Sequence, residues 1–261
     1  MRTSIIKVGG AVVEDAAQLA ILLDEFVKIS GPKVLVHGGG RSATQLAAQL
    51  GIESRMVGGR RITDAEMLRV VTMVYGGLVN KHIVAQLQAR SVNALGLTGA
   101  DLNLIRAHRR PVTPEGIDFG FVGDVDSADG DTLQMLLDNG ITPVIAPLTH
   151  DGQGHLLNIN ADTMAQTVAV ALASVNSASS VSPELYFCFE FPGVLRDPSD
   201  PSTLIPSLTE EDFRVLVADG AISGGMIPKL ENAFAALRDG VSCVRITSIH
   251  DLTGGTLING L

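Results

Sequence analysis

The chain has no tryptophan, two tyrosines and eight phenylalanines, so aromatic residues make up only 4% of its 261 residues. Little material is left for platforms that stack bases or sugars. Cysteine is almost as scarce. Cys188 and Cys243 stand in apolar, strand-like runs without CxxC spacing, which argues against a disulfide scaffold or a thiolate metal site and reads as two reduced core residues. Positive charge is short too: 19 lysines and arginines face 28 acidic residues, giving a net charge of −9 and a sequence pI near 5.1. Such a surface repels nucleic acid and anionic membrane, and any anionic substrate needs a basic pocket of its own. No apolar run approaches membrane-spanning length, and a strand begins by Ser4 with no room for a signal peptide before it. A soluble, cytoplasmic protein with neither a nucleic-acid nor a membrane partner is the expectation.

What the chain does have is apolar content, 46%, and 28 glycines, several of them at the ends of apolar runs. The first run, Ser4 to Gly10 (SIIKVGG), carries a lysine close to its end. A buried strand cannot keep Lys7 charged without a partner, so the lysine must emerge where Gly9 and Gly10 let backbone amides approach an anion; the plainer reading is a surface lysine before a βα turn. An amphipathic helix follows over Glu14 to Ser30, with Leu19, Leu22, Leu23, Phe26 and Val27 at helical spacing. Lys33 to Val36 is a second strand, and it runs into His37-Gly38-Gly39-Gly40 before another helix. Three glycines there make either an anion-facing set of N–H groups or simply a tight turn.

Gly58-Gly59-Arg60-Arg61-Ile62-Thr63 comes next, with Thr63-x-x-Glu66 reading as a capping box for a long helix to about Ala89. Arg61 at that mouth suits a carboxylate clamp, or is an ordinary solvated arginine. Asn93 to Leu97 is a third strand, Asn103 to Ala107 begins a fourth, and His108 to Asp126 reads as a projecting β-hairpin. Asp129 to Asn139 is helical and Thr142 to Pro147 is a buried strand. Alternation then places Asn158, Asn160 and Asp162 on one side, ahead of a helix over Thr163 to Val175. Asp162 is either that helix's N-cap or part of a polar site. A serine-rich linker spans Asn176 to Pro183, Glu184 to Phe189 is a strand, and a helix starts near Thr209. Ile222 to Lys229 (ISGGMIPK) introduces a helix over Leu230 to Arg238 and sets Lys229 at a second anion-facing mouth. Alternating βα units point to an α/β fold with a mainly parallel sheet.

Taken together and in this order, KVGG, HGGG, GRRIT, NINAD and GGMIPK resemble the amino-acid kinase family over nearly the whole chain. The resemblance implies a three-layer αβα sandwich with a mainly parallel central sheet. Its N-terminal lobe, residues 1–176, would bind the amino-acid substrate and mediate dimerisation, and its C-terminal lobe, residues 177–261, would bind ATP. It implies transfer of the γ-phosphoryl of ATP, accompanied by Mg²⁺, to the side-chain carboxylate of an N-acetyl- or N-succinyl-glutamate in arginine biosynthesis. By matching position, Lys7 and Lys229 would stabilise the moving phosphoryl group and Asp162 would orient both. Gly39 and Gly40 would contact the substrate, Arg61 would hold its α-carboxylate, and Asn158 its acyl-amino part. Gly9, Gly10, Gly38 and Gly225 would border the nucleotide phosphates.

An acceptor carboxylate is already ionised at neutral pH, so no general base is called for, and the absence of a dense carboxylate cluster leaves Mg²⁺ to the nucleotide with no metal site of the protein's own. In place of the family's Thr-Asp pair this chain has Phe187-Cys188-Phe189-Glu190-Phe191-Pro192-Gly193, and Ile249 to Gly255 is a shortened arm. The alternatives are a family kinase with another acceptor, or an ATP-binding regulator without catalysis. A dinucleotide dehydrogenase lacks its G-x-G-x-x-G loop. With a strand starting at Ser4, a homodimer without arginine feedback is the expected assembly.

Overall fold

The computed structural model describes residues 2–175 and 183–260. Its main sheet has eight strands in the order Ser207–Leu208, Asp251–Ile258, Cys243–Ser248, Glu184–Phe189, Ser4–Val8, Lys33–His37, Thr142–Ile145 and Ala94–Leu97. All neighbours run parallel except Cys243–Ser248 and Asp251–Ile258, which form an antiparallel hairpin. Both faces of the central strands are buried, as a parallel sheet requires. Ile5, Val34 and Val36 join one core layer, whereas Ile6, Val8 and Leu35 join the other. The three-layer αβα sandwich is therefore present, with a helix layer on each side of the sheet.

The helix Ala16–Lys28 buries Leu19, Leu22, Leu23 and Phe26 on one face, and Asp15 caps it by accepting from the Ala17 and Gln18 amides at 2.9 and 3.0 Å. Glu14 belongs to a separate short turn of helix, Gly10–Glu14. On the opposite face the helices Gly130–Asp138 and Ala161–Val175 touch so closely that a Cβ on Gly130 would meet the Ala171 carbonyl oxygen at 2.3 Å.

Several local expectations need correcting. The long helix from Thr63 to Ala89 is built in three parts: α-helix at Ala65–Val71, a π-helical stretch at Thr72–Val79 and α-helix again at Asn80–Gln88. Its N-cap is Asp64, which accepts from the Met67 amide at 2.8 Å. Thr63 is fully buried and instead donates to the Arg61 carbonyl. Asn103 does not start a strand. Leu102 and Asn103 take φ of 55° and 53° in a 3₁₀ turn, and the strand is Ile105–Arg109. That strand pairs antiparallel with Gly123–Ala128, so the hairpin exists, but it forms a separate four-stranded sheet with Leu148–His150 and Leu156–Asn158. The helix begun at Leu230 in the sequence reading starts earlier, at Met226, and runs to Arg238. The expected linker, residues 176–183, lies outside the described residues except for Pro183. Cys188 is buried and Cys243 half-buried, both as free thiols, and no helix among the described residues is long and apolar enough to cross a membrane.

Candidate active site

Chain direction changes sides at the strand Ser4–Val8. On leaving it the chain passes through helices of one layer to reach Lys33–His37, while the strand on its other side, Glu184–Phe189, follows the helix Ala161–Val175 of the opposite layer. Such a switch point opens a crevice beyond the carboxyl ends of the strands.

Lys7 lies in that crevice for a geometric reason. It shares strand parity with Ile5 and so faces the layer that contains Ala161–Val175. There its Nζ meets Asp162 Oδ1 at 2.6 Å, with both side chains largely buried. Burial alone disfavours the charged carboxylate, yet Lys7, with a smaller contribution from Lys229, holds Asp162 below the usual carboxylate range. Asp162 is free for this pairing because Asn160 caps the helix, accepting from the amides of Asp162 at 2.7 Å and Thr163 at 3.4 Å. The N-cap reading of Asp162 is thereby corrected. Lys229 enters from the first turn of Met226–Arg238, and its own affinity for a proton is lowered, chiefly by burial and also by Lys7, with Asp162 opposing. Two cations thus converge on one carboxylate, an arrangement that an incoming anion would relieve.

The two glycine loops meet beside this cluster. A Cβ on Gly38 would lie 2.9 Å from the Gly10 nitrogen, and one on Gly10 would lie 3.3 Å from the Gly40 nitrogen and 3.4 Å from that of Gly39. Only glycine allows the backbones so close, and the result is a cradle of amide groups. Glu14 fastens the loops together by accepting from the Ser42 amide at 2.6 Å.

Behind the loop stands a buried histidine. His37 Nδ1 pairs with the Gly38 carbonyl at 2.7 Å, which makes Nδ1 the protonated nitrogen and leaves Nε2 to accept from Asn80 Nδ2 at 3.1 Å. Complete burial pushes the His37 pKa down to about 4, so the ring is neutral. Asn80 also donates to the Val144 carbonyl at 2.8 Å, and the Tyr75 ring covers Gly39, so a Cβ there would come within 3.0 Å of it.

Arg61, 9% exposed, donates through Nη2 to the Gly40 carbonyl at 2.8 Å and to Thr44 Oγ1 at 3.0 Å, and through Nη1 to Ser54 Oγ. Three of its five N–H donors are committed in these bonds, and the guanidinium also acts on the Tyr75 hydroxyl. Asn158 donates to Thr63 Oγ1 at 3.0 Å, which ties the small sheet to the Arg60–Arg61 strand.

Two clefts result. One is lined by Gly38, Gly39, Gly40, Arg60, Arg61 and Asn158, with Tyr75 and Asn160 contributing. The other is lined by Lys7, Gly9, Gly10, Arg41, Phe189 and Lys229. They share Gly40, Met56 and Arg61 and so adjoin there, with both lysines lining the second. A third, more apolar cleft lies between Phe191, Val194, Leu195, Ile222 and Met226. Of the residues singled out from sequence, Asp162 and Gly225 border none of these clefts: Asp162 stands behind Lys7, and Gly225 precedes Met226–Arg238, its carbonyl taking Lys229 Nζ at 3.4 Å. Tyr75, Asn80 and Ser54 were not legible as site residues, since nothing in their local pattern marks them. Asn160 was, through its alternation with Asn158 and Asp162.

The profile described as the Amino acid kinase family matches residues 2–248. The chain is 60% identical over 246 residues to an acetylglutamate kinase of Bacteroides thetaiotaomicron, covering 94% of this chain and 93% of that one. It is 58% identical over 260 residues to an acetylglutamate kinase of Bacteroides fragilis, covering 98% and 97%. Among solved structures it superposes on smu.665 from Streptococcus mutans with a TM-score of 0.77 at 27% identity, over 98% of both chains.

Proposed function

The chain belongs to the amino acid kinase family, and on that premise we propose that it transfers the γ-phosphoryl group of ATP to the side-chain carboxylate of an N-acyl-L-glutamate, a step of arginine biosynthesis in the cytoplasm. The observation that carries this reading is the Lys7–Asp162 pair, 2.6 Å apart, with Lys7 and Lys229 both lining the cleft that adjoins the other at Gly40 and Arg61. The name shared by the relatives, acetylglutamate kinase, supports an N-acylated glutamate as acceptor, and N-succinyl-glutamate is the variant set beside it.

The acceptor occupies the cleft of Gly39, Gly40, Arg61 and Asn158. Arg61 offers its charge and remaining N–H donors to the α-carboxylate, and Asn158 and the Gly39–Gly40 amides hold the acyl-amino part and the reacting carboxylate. The nucleotide phosphates lie against Gly9, Gly10 and Gly38, where the absence of Cβ at Gly10 and Gly38 lets the two loops close into one cradle. The C-terminal lobe supplies the rest of the ATP site, with the cleft of Phe191, Leu195 and Met226 suited to an apolar base. Mg²⁺ would be carried largely by the nucleotide phosphates and would offset their charge, with Lys7 and Lys229 beside them. A carboxylate oxygen attacks phosphorus, the bond to the bridging oxygen breaks, ADP leaves, and an acyl phosphate remains. No proton needs to be removed. Lys7 and Lys229 neutralise charge on the transferring oxygens, and Asp162 keeps Lys7 aimed at them.

Homodimerisation is part of the proposal. Ala94–Leu97 is an open sheet edge, and Met73, Leu78 and Leu95 are exposed apolar side chains.

The test is ATP-dependent acyl-phosphate formation trapped with hydroxylamine, comparing N-acetyl-L-glutamate, N-succinyl-L-glutamate and free L-glutamate. Turnover of an acylated glutamate and not of free glutamate is expected. Absence of turnover with every acceptor would overturn the reading and favour a non-catalytic ATP-binding regulator.

A further inference from the structure

The acceptor cleft holds one cation more than an acetylated glutamate can use. Such a substrate carries two carboxylates: the α-carboxylate, which Arg61 receives, and the reacting one, which lies toward Lys7 and Lys229. Arg60 lines the same cleft from the adjoining position of the short strand Arg60–Arg61. It is half-buried and has no carboxylate within ion-pair distance among the described residues. The nearest acid that it feels, Asp124, is already taken: Arg110 Nε donates to both Asp124 oxygens at 3.1 Å. Burial, and after it repulsion from Arg110, makes the Arg60 charge costly to hold. An uncompensated guanidinium in a ligand cleft is stabilised by an anion on the ligand.

Other arginines are poorer candidates. Arg41 borders the lysine cleft rather than this one. Arg90 is paired with Asp24 at 2.7 Å and lines neither cleft.

We propose that Arg60 is a specificity-determining residue that binds a carboxylate at the end of the acyl chain, making the preferred acceptor an N-acylglutamate whose acyl group is itself a dicarboxylic acid remnant such as succinyl. This rests on the acylglutamate kinase reading and narrows it. An acetyl group ends in a methyl and leaves Arg60 unpaired. A succinyl group extends two further carbons and ends in a third carboxylate, one for each cationic position of the site: Arg61, Arg60 and the lysine pair.

The experiment measures kcat/KM for N-succinyl-L-glutamate and N-acetyl-L-glutamate with the wild-type protein and with Arg60→Met and Arg60→Lys, and calorimetric binding of both ligands without ATP. A charge-assisted contact is worth roughly a 10- to 100-fold change in such a ratio. The wild-type protein is expected to favour the succinyl substrate. Arg60→Met should lower the succinyl-to-acetyl ratio at least about tenfold, mostly through KM, and Arg60→Lys should recover part of it. A wild-type preference for the acetyl substrate, or an Arg60→Met variant that weakens both ligands equally, overturns the inference; the second result would make Arg60 a partner of the common α-carboxylate. If nothing turns over, the kinase reading fails, while a selective loss of succinyl binding in Arg60→Met would still sustain this one.

Discussion

Asp162 sits among cations that would otherwise repel one another, and that arrangement sets what each side chain can lose. Lys7→Met removes the charge nearest Asp162 and leaves the carboxylate buried with one cation fewer. A fall in kcat of roughly 10²- to 10³-fold is expected, with the acceptor KM changed only a few-fold, since the proposed function has the lysine act where charge develops and not where substrate is held. Steady-state rates with the trapped acyl phosphate check this, and Lys229→Met should behave alike. His37 bears on stability instead. It is neutral in the fold with a pKa near 4, against about 6.5 when unfolded. The unfolded chain therefore binds more protons below pH 6.5. The stability that the neutral ring contributes is intact above that pH and is lost as pH falls towards 4, on the order of 3 kcal/mol in all. Urea unfolding between pH 4 and pH 8 should show this slope, and a His37→Gln variant should lack it.

At the level of elements, the touching loops at Gly9–Gly10 and Gly38–Gly40 are the part least able to accept change. Gly38→Ala puts a methyl group 2.9 Å from a backbone nitrogen that has no rotamer through which to escape. The loops must part, so activity should fall by more than tenfold and stability by about 1–3 kcal/mol, read from kinetics and thermal unfolding. Gly225→Ala makes the contrast: no atom lies within 4 Å of the added carbon, and the melting temperature should move little. Elements also show what is legible in sequence. The strands Ser4–Val8, Lys33–His37 and Glu184–Phe189, the glycines after the first two and the apolar face of Ala16–Lys28 follow from local periodicity and are where the sequence places them. The caps are not: Thr63 and Asp162 each have suitable chemistry for capping, but Asn158 claims the first and Lys7 the second, and both claims come from distant parts of the chain. Asp64 and Asn160 then cap in their place.

For the whole molecule, the sandwich brings residues 7, 61, 162 and 229 to one crevice although more than two hundred positions separate the first from the last. Sequence order alone holds the motifs but not the spare charge at Arg60, whose unpaired state becomes visible only once Arg110 and Asp124 are seen together. Assembly is testable at this scale too. Analytical ultracentrifugation is expected to give a mass of twice the 27.3 kDa chain, and Leu78→Glu should shift it towards the monomer.

The π-helical stretch Thr72–Val79 has a consequence of its own. In an α-helix, residues five apart are turned by about 140° from each other, so Tyr75 and Asn80 could not both serve the same loop. The wider turn, in which the Asn80 amide reaches back to the Tyr75 carbonyl, lets one cover Gly39 while the other holds His37. Regularity and aim are thus opposed in this helix. A one-residue deletion that restored ordinary winding would make it a better helix and a worse scaffold, and a screen for heat resistance alone would select enzymes with a slackened grip on their acceptor.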